Sequence, residues 1–179
     1  MIAKLLKELK NETRFVLAID GRCGAGKTTL AGKLQEELGC EVIHLDDFFL
    51  PWGSEKSGHG NLEKDRLFKE VLIPLSQNQE VNYRKFSCSM QDYTECVHIE
   101  KGRSVIIEGS YALLSDFAFA YTHKLFLDID PDLQEKRIRE RNGDDKWQMF
   151  ATRWIPDEEA YIAQCHGDGF GNIFYYKQK

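Results

Sequence analysis

Disulfides, structural metal and membrane spans all lack a basis in this sequence. The five cysteines, Cys23, Cys40, Cys88, Cys96 and Cys165, are odd in number, and no two form a Cys-x-x-Cys pair. A disulfide framework is therefore not expected, and the usage fits a reducing cytoplasm. The five histidines show neither His-x-x-x-His nor Cys/His metal spacing, which argues against structural zinc. No apolar run approaches the roughly 20 residues needed to cross a bilayer. The opening stretch, MIAKLLKELKNETRF, lacks the apolar core and small-residue cleavage site of a signal peptide. Positive charge is not in excess, because the net charge is −5. Binding to polymeric nucleic acid or to an anionic membrane is therefore not expected. Internal repeats and low-complexity segments are also absent.

What is present is an alternation of strands and helices. A chain of 179 residues is expected to form one domain, 1–179, with a sizeable core. Apolar runs fall at 15–19, 41–45, 104–108, 124–129 and 172–176, with helical patterns between most of them. Several are continuously apolar, as strands buried on both faces should be. The fold class expected is α/β, three-layered, with a five-stranded parallel sheet. Ile2, Leu5, Leu6 and Leu9 predict a short amphipathic helix covering the sheet edge. Beyond Asn61, the residues Phe68, Val71, Leu72 and Leu75 share a helical face that Pro74 should kink or end. Asp130-Pro131 reads as a helix start, with a capping carboxylate before a proline. Segment 81–100 reads as a hairpin and 51–60 as a mobile loop. Phe150, Trp154, Tyr161 and Ile162 lie at helical spacing and read as core.

The most informative segment is FVLAIDGRCGAGKTT. A short strand runs into Gly21, Gly24, Ala25, Gly26, Lys27, Thr28 and Thr29, with glycine, lysine and threonine at the spacing G-x-x-x-x-G-K-[ST]. The glycines let backbone N–H groups converge on one anion. Lys27 can reach terminal phosphates, and the Thr28 hydroxyl can sit on magnesium. The helix that follows places the phosphate at a helix N-terminus. Cys23 lies inside this loop. It reads as a small filler, or as a thiol made reactive by the nearby helix end.

Acids and arginines gather around this loop. Asp46 and Asp47 follow the second strand of a parallel sheet, where ligands collect. One of them, Asp46 by preference, can accept the proton of an attacking hydroxyl. Glu108 ends a later apolar strand, placed to hold magnesium-bound water beside Thr28. It also reads as a carboxylate that merely orders Lys27 or a loop amide. Arg137 and Arg141 share a face of helix 131–142 ahead of a Gly143 turn, so 137–150 reads as a lid carrying arginines onto phosphate. A solvated charged face, with Glu135 and Glu140 as partners, is the alternative. Tyr83, Arg84, Lys85, Phe86 and Tyr93 form an aromatic and basic cluster, suited to stacking a flat ring or to packing a hairpin.

Taken together, GRCGAGKTT, LDDFF, IIEGSYAL and KLFLDIDPDLQEKRIRER resemble the uridine kinase group of P-loop kinases, which includes phosphoribulokinase and pantothenate kinase. The likeness implies ATP and Mg2+ as cofactors and Asp46 as catalytic base. It also implies a substrate-binding tyrosine at Tyr83, beside Arg84 and Phe86. Uridine kinases follow this tyrosine with Asp-Phe, whereas here Arg84-Lys85 follows. The expected activity is transfer of the γ-phosphoryl group to a hydroxyl of a small molecule, a nucleoside such as uridine. Pantothenate, a sugar phosphate and nicotinamide riboside are alternative acceptors. A nucleotide-dependent switch is an alternative class, though the N-K-x-D motif of GTPase switches is missing.

Overall fold

A computed structural model describes residues 2–51, 53–54, 61–167 and 173–178. The strands among them are β1 (Val16–Gly21), β2 (Glu41–His44), β3 (Val81–Ser87), β4 (Asp92–Ile99), β5 (Val105–Glu108), β6 (His123–Ile129) and β7 (Phe174–Gln178). The helices are α1 (Ile2–Lys10), α2 (Lys27–Leu38), α3 (Lys64–Leu67), α4 (Ile73–Ser76), α5 (Pro131–Asn142), α6 (Asp144–Met149) and α7 (Ile155–Gly167). Five strands form one parallel sheet in the order β2-β5-β1-β6-β7, as the apolar runs predict. β3 and β4 form the separate antiparallel hairpin. No helix among the described residues is long and apolar enough to cross a membrane.

Alternate residues of the central strands feed two apolar layers. Val16, Ala18, Val105 and Ile107 pack with Leu67, Val71, Phe117 and Tyr161. Leu17, Ile19, Ile106 and Leu125 pack with Ala31 and Leu34 of α2. Helices on both faces explain why the strands read as continuous apolar runs. Leu5 and Leu9 of α1 are buried in this second layer with Leu17, Ile19 and Leu127. The helix therefore covers a face of the sheet rather than just its edge, because its two innermost leucines reach the central strands.

Pro74 acts upstream of its own position. A π-turn, Phe68–Leu72, separates α3 from α4, and the Ile73 N–H bonds the Phe68 carbonyl five residues back. The wider turn accommodates a ring that has no N–H to donate and would crowd the carbonyl four residues before it. The helical path then ends at Ser76. At α5, the Asp130 carboxylate accepts the Asp132 N–H at 3.1 Å, with Pro131 in the first turn, as expected. Tyr161 and Ile162 are core, but Phe150 and Trp154 are only half-buried, because a second π-turn, Phe150–Trp154, rotates them off the buried face. The proposed mobile loop at 51–60 falls largely outside the described residues.

Candidate active site

The loop after β1 is built for close approach. Gly21 has φ 145°, and a Cβ there would lie 2.0 Å from the Leu127 carbonyl oxygen. Only glycine lets β1 and β6 draw together as the chain turns. Gly26 caps α2 in the left-handed conformation, and Lys27 opens the helix. The loop is tied from outside as well. Arg137 donates to the Gly24 carbonyl at 3.0 Å and to Gln178 Oε1 at 2.6 Å. Gln178 in turn donates to the Ala25 carbonyl at 2.6 Å.

Lys27 folds back over this loop. Its Nζ donates to the Gly21 carbonyl at 2.5 Å and the Arg22 carbonyl at 3.3 Å, and lies 3.5 Å from Ser110 Oγ. The Thr28 hydroxyl donates to Glu108 Oε1 at 2.9 Å. The same carboxylate oxygen lies 2.6 Å from His44 Nδ1, and parallel pairing sets His44 directly opposite Glu108. This hydrogen bond raises the pKa of His44 against the opposing effect of desolvation. Gly109 makes the arrangement possible, since a Cβ at this position would meet Leu45 Cβ at 2.7 Å.

Asp46 and Asp47 sit on a 3-10 turn, Leu45–Phe48, anchored by the fully buried Phe48. Asp46 is open to solvent yet surrounded by protein, as at the floor of a cleft. Desolvation first, and the Glu108 charge second, raise its pKa, while Lys27 and His44 oppose the rise. Asp47 is engaged differently: it accepts the Tyr83 hydroxyl at 3.2 Å, and desolvation raises its pKa as well. Tyr83 is buried against Phe48, with ring centroids 5.0 Å apart. Phe86 is also buried and meets Tyr93 edge-on at 5.8 Å. Arg84 is exposed, with its guanidinium 5.0 Å from the Tyr93 ring centroid.

Arg66, to which the sequence reading assigned no role, joins these pieces. It donates to the carbonyls of Asp47 and Arg84 and to Glu63, and lies 4.3 Å from the Phe48 ring centroid. Its planar guanidinium thus connects the acid-bearing turn, the hairpin and α3.

The arginines of α5 divide by face. Arg137 reaches the loop carbonyl, and Arg141 Nη2 lies 3.6 Å from Cys23 Sγ. Arg139 points elsewhere and pairs with Glu135 and Asp144. The Cys23 pKa is raised, by desolvation first and the Glu158 charge second, so the thiol is not activated. Beneath the loop, Asp20 is buried and accepts the N–H groups of Gly21 and Leu113 and the Tyr161 hydroxyl. Burial pushes its pKa up to about 6. His44, Ser110 and Asp20 lie within or beside the quoted motifs, so their proximity was readable, but their partners depend on strand pairing. No local signal marks Arg66 or Glu158.

A phosphate-loop strand at the centre of a parallel sheet, followed by acid-bearing strand ends, defines a P-loop kinase fold. An AAA domain family matches residues 17–159, and the chain belongs to that family. It is 40% identical over 79 residues to nicotinamide riboside kinase 1 of Homo sapiens, covering 43% of this chain and 36% of the relative. It is 27% identical over 144 residues to uridine-cytidine kinase D of Dictyostelium discoideum, covering 70% and 27% respectively. The matched stretches thus span about a third of the length of these curated relatives. Among solved structures, one described as a possible uridine kinase from Bacillus stearothermophilus superposes with TM-score 0.62 at 20% identity. That superposition covers 97% of this chain and 96% of the other. At that identity it supports the fold alone.

Proposed function

We propose that this chain, as one kinase domain with the hairpin at 81–100 and a lid near 137–150, transfers the γ-phosphoryl group of ATP to a hydroxyl of a small molecule. The observation that carries this reading is Asp46, a solvent-reachable carboxylate with raised pKa, within electrostatic reach of both Lys27 and Glu108. A base with a raised pKa is a better proton acceptor. Lys27 would exchange its contacts with the loop carbonyls for phosphate oxygens, and the loop amides would hold the remaining charge. Arg137 and Arg141 would meet the transferring group as the segment around Gly143 closes. α6, just beyond that glycine, has no buried residue to hold it in place.

The residues fit Mg2+. Among the described residues no three His, Cys, Asp or Glu groups form a metal cage. Mg2+ bound with a nucleotide uses few protein groups, keeps several waters and takes the rest from phosphate. Thr28 and Glu108 would hold it, Glu108 through water, and the ion would neutralise phosphate charge. Asp46 would take the proton from the acceptor hydroxyl.

A nucleoside or a similar ribosyl compound is the acceptor proposed, with Tyr83, Arg84 and Phe86 on its side of the site. The uridine-cytidine and nicotinamide riboside kinases among the relatives support a ribose hydroxyl. Lys85 lies 3.4 Å from Glu95, so a sugar phosphate would compete with that carboxylate for the lysine. The test incubates the protein with ATP and Mg2+ against uridine, cytidine, nicotinamide riboside, pantothenate and ribulose 5-phosphate, reading ADP and phosphorylated product. Nucleoside turnover is expected. Turnover of ribulose 5-phosphate alone would overturn the acceptor. ATP hydrolysis that requires an added protein, with no acceptor, would overturn the kinase in favour of a switch.

A further inference from the structure

α7 follows the proposed lid and presses one face against the phosphate loop. Glu158 is buried on that face, 4% exposed, with Tyr161 one turn further along. Glu158 Oε2 accepts the Cys23 N–H at 2.8 Å, and its Oε1 accepts the Ser110 hydroxyl at 2.9 Å. Ser110 Oγ is also 3.5 Å from the Lys27 ammonium. The adjacent Glu159 pairs with Arg22. Tyr161 donates to Asp20 at 2.5 Å. Three neighbouring residues of one helix thus engage positions 20, 22 and 23.

A buried carboxylate beside a phosphate site is an unusual choice, since it repels the ligand. Its position is explained by what it accepts. Among the described residues nothing else is bonded to the part-buried Cys23 amide, and an N–H shielded from water without an acceptor costs up to roughly 1–3 kcal/mol. The Ser110 proton is likewise committed to Glu158, which turns the serine lone pairs towards Lys27.

We propose that Glu158 is a positioning residue of the phosphate site, fixing the Cys23 amide with one oxygen and, through Ser110, the Lys27 ammonium with the other. It acts on the reaction through those two groups and does not touch the transferring phosphoryl. Because α7 continues from the lid through the π-turn at 150–154, Glu158 also makes loop geometry depend on lid position. This inference rests on the kinase reading of the same site.

The test compares Glu158→Gln, Ser110→Ala and the double variant. Glutamine keeps the shape but offers a single acceptor oxygen, so it cannot satisfy both donors. Turnover of Glu158→Gln should fall roughly 10- to 100-fold, as misplaced reacting groups do, while calorimetric Mg·ADP affinity changes less than about threefold. Ser110→Ala should fall roughly three- to tenfold and add little in the double variant, since both act through Lys27. Wild-type turnover in folded Glu158→Gln, or full additivity, overturns the proposal. A lower melting temperature with unchanged turnover overturns it too, because that result describes structure alone. Should Glu158→Gln not fold, Ser110→Ala decides: a fall in turnover supports the relay, and unchanged turnover overturns it. If the wild-type protein phosphorylates no acceptor, the kinase reading fails separately. Amide exchange at Cys23 then decides the position of Glu158. Exchange about tenfold faster in Glu158→Gln supports it, and unchanged exchange overturns it.

Discussion

Replacing Asp46 with asparagine should separate activity from stability. Asparagine keeps the size of the side chain and removes its charge. The native surroundings disfavour that charge, through desolvation and the nearby Glu108, so the folded pKa lies above the unfolded one. For a carboxylate raised in this way, the ionised form is less favourable in the folded state. Its contribution to stability is greatest below the unfolded pKa and declines as pH rises through the folded value. At neutral pH the charge therefore opposes folding, and Asp46→Asn should leave the melting temperature unchanged or raise it. Turnover should behave in the opposite way. Loss of a general base lowers the rate roughly 10²- to 10⁴-fold, equivalent to about 2.7–5.5 kcal/mol of transition-state stabilisation. The wild-type rate should climb with pH through the raised Asp46 pKa and then level, and Asp46→Asn should lose that limb. An ADP-release assay from pH 5 to 9, beside thermal unfolding at the same pH values, measures both effects. A folded Asp46→Asn enzyme with more than about a tenth of wild-type turnover refutes the base assignment. An inactive Asp47→Asn beside an active Asp46→Asn reverses the roles of the pair. The bond from Tyr83 to Asp47 makes the second acid the one suited to a structural task.

Further outcomes follow from the same geometry. Lys27→Ala should lower turnover at least ~10²-fold with the fold intact, since on the proposed reading it removes a charge that would meet developing phosphate charge. Near-wild-type turnover would refute that. Arg137→Ala and Arg141→Ala should lower turnover more than they weaken ADP binding by calorimetry. Arg137→Ala should also loosen the loop, because the Gly24 carbonyl and Gln178 lose their shared donor. Tyr161→Phe removes the hydroxyl that supports ionised Asp20, whose pKa of about 6 lies above the unfolded 3.8. Denaturant titration should show a loss of about 1.5–3 kcal/mol at pH 8, as for a hydrogen bond to a charged group, and a smaller loss at pH 5. An equal loss at both pH values would show that Asp20 does not titrate between them.

The parts of this site legible in the sequence are those whose chemistry is local. The three central strands, β1, β5 and β6, were legible because burial on both faces forces unbroken apolar runs such as 105–107, whereas the edge strands β2 and β7 are largely half-buried or exposed. The phosphate loop was legible because Gly21, Gly24 and Gly26 all take positive φ, a demand few residues meet. The places of Asp46 just after β2 and of Glu108 at the end of β5 were legible from the apolar runs that precede them. What stayed hidden needed tertiary register. His44 reaches Glu108 only because β2 pairs with β5, and no spacing within either strand reveals it. Glu158 finds Cys23 across 135 positions, through the rotational setting of α7. Arg66 looked like one more charge on a helix, though its side chain is nearly covered between an aromatic ring and two carbonyls. The placement of α1 differed from expectation for a related reason: periodicity identifies an apolar stripe but not the surface that receives it.

The central position of β1 has a consequence for how the protein is made. β1 lies early in the chain, yet both its neighbours, β5 and β6, come about a hundred residues later. The loop it carries closes against Leu127, whose carbonyl accepts the Arg22 N–H at 3.1 Å, and is braced by Gln178. During synthesis the residues of this loop therefore emerge well before the strands that complete it. Until β6 is in place, the Val16–Ile19 run has no partner on one side and remains an exposed apolar edge, open to intermolecular pairing. Such non-local assembly folds slowly for its size. Nucleotide cannot assist the early steps, since its cradle does not yet exist. It can act only on the completed sheet, by mass action, as a late selector of correctly finished molecules.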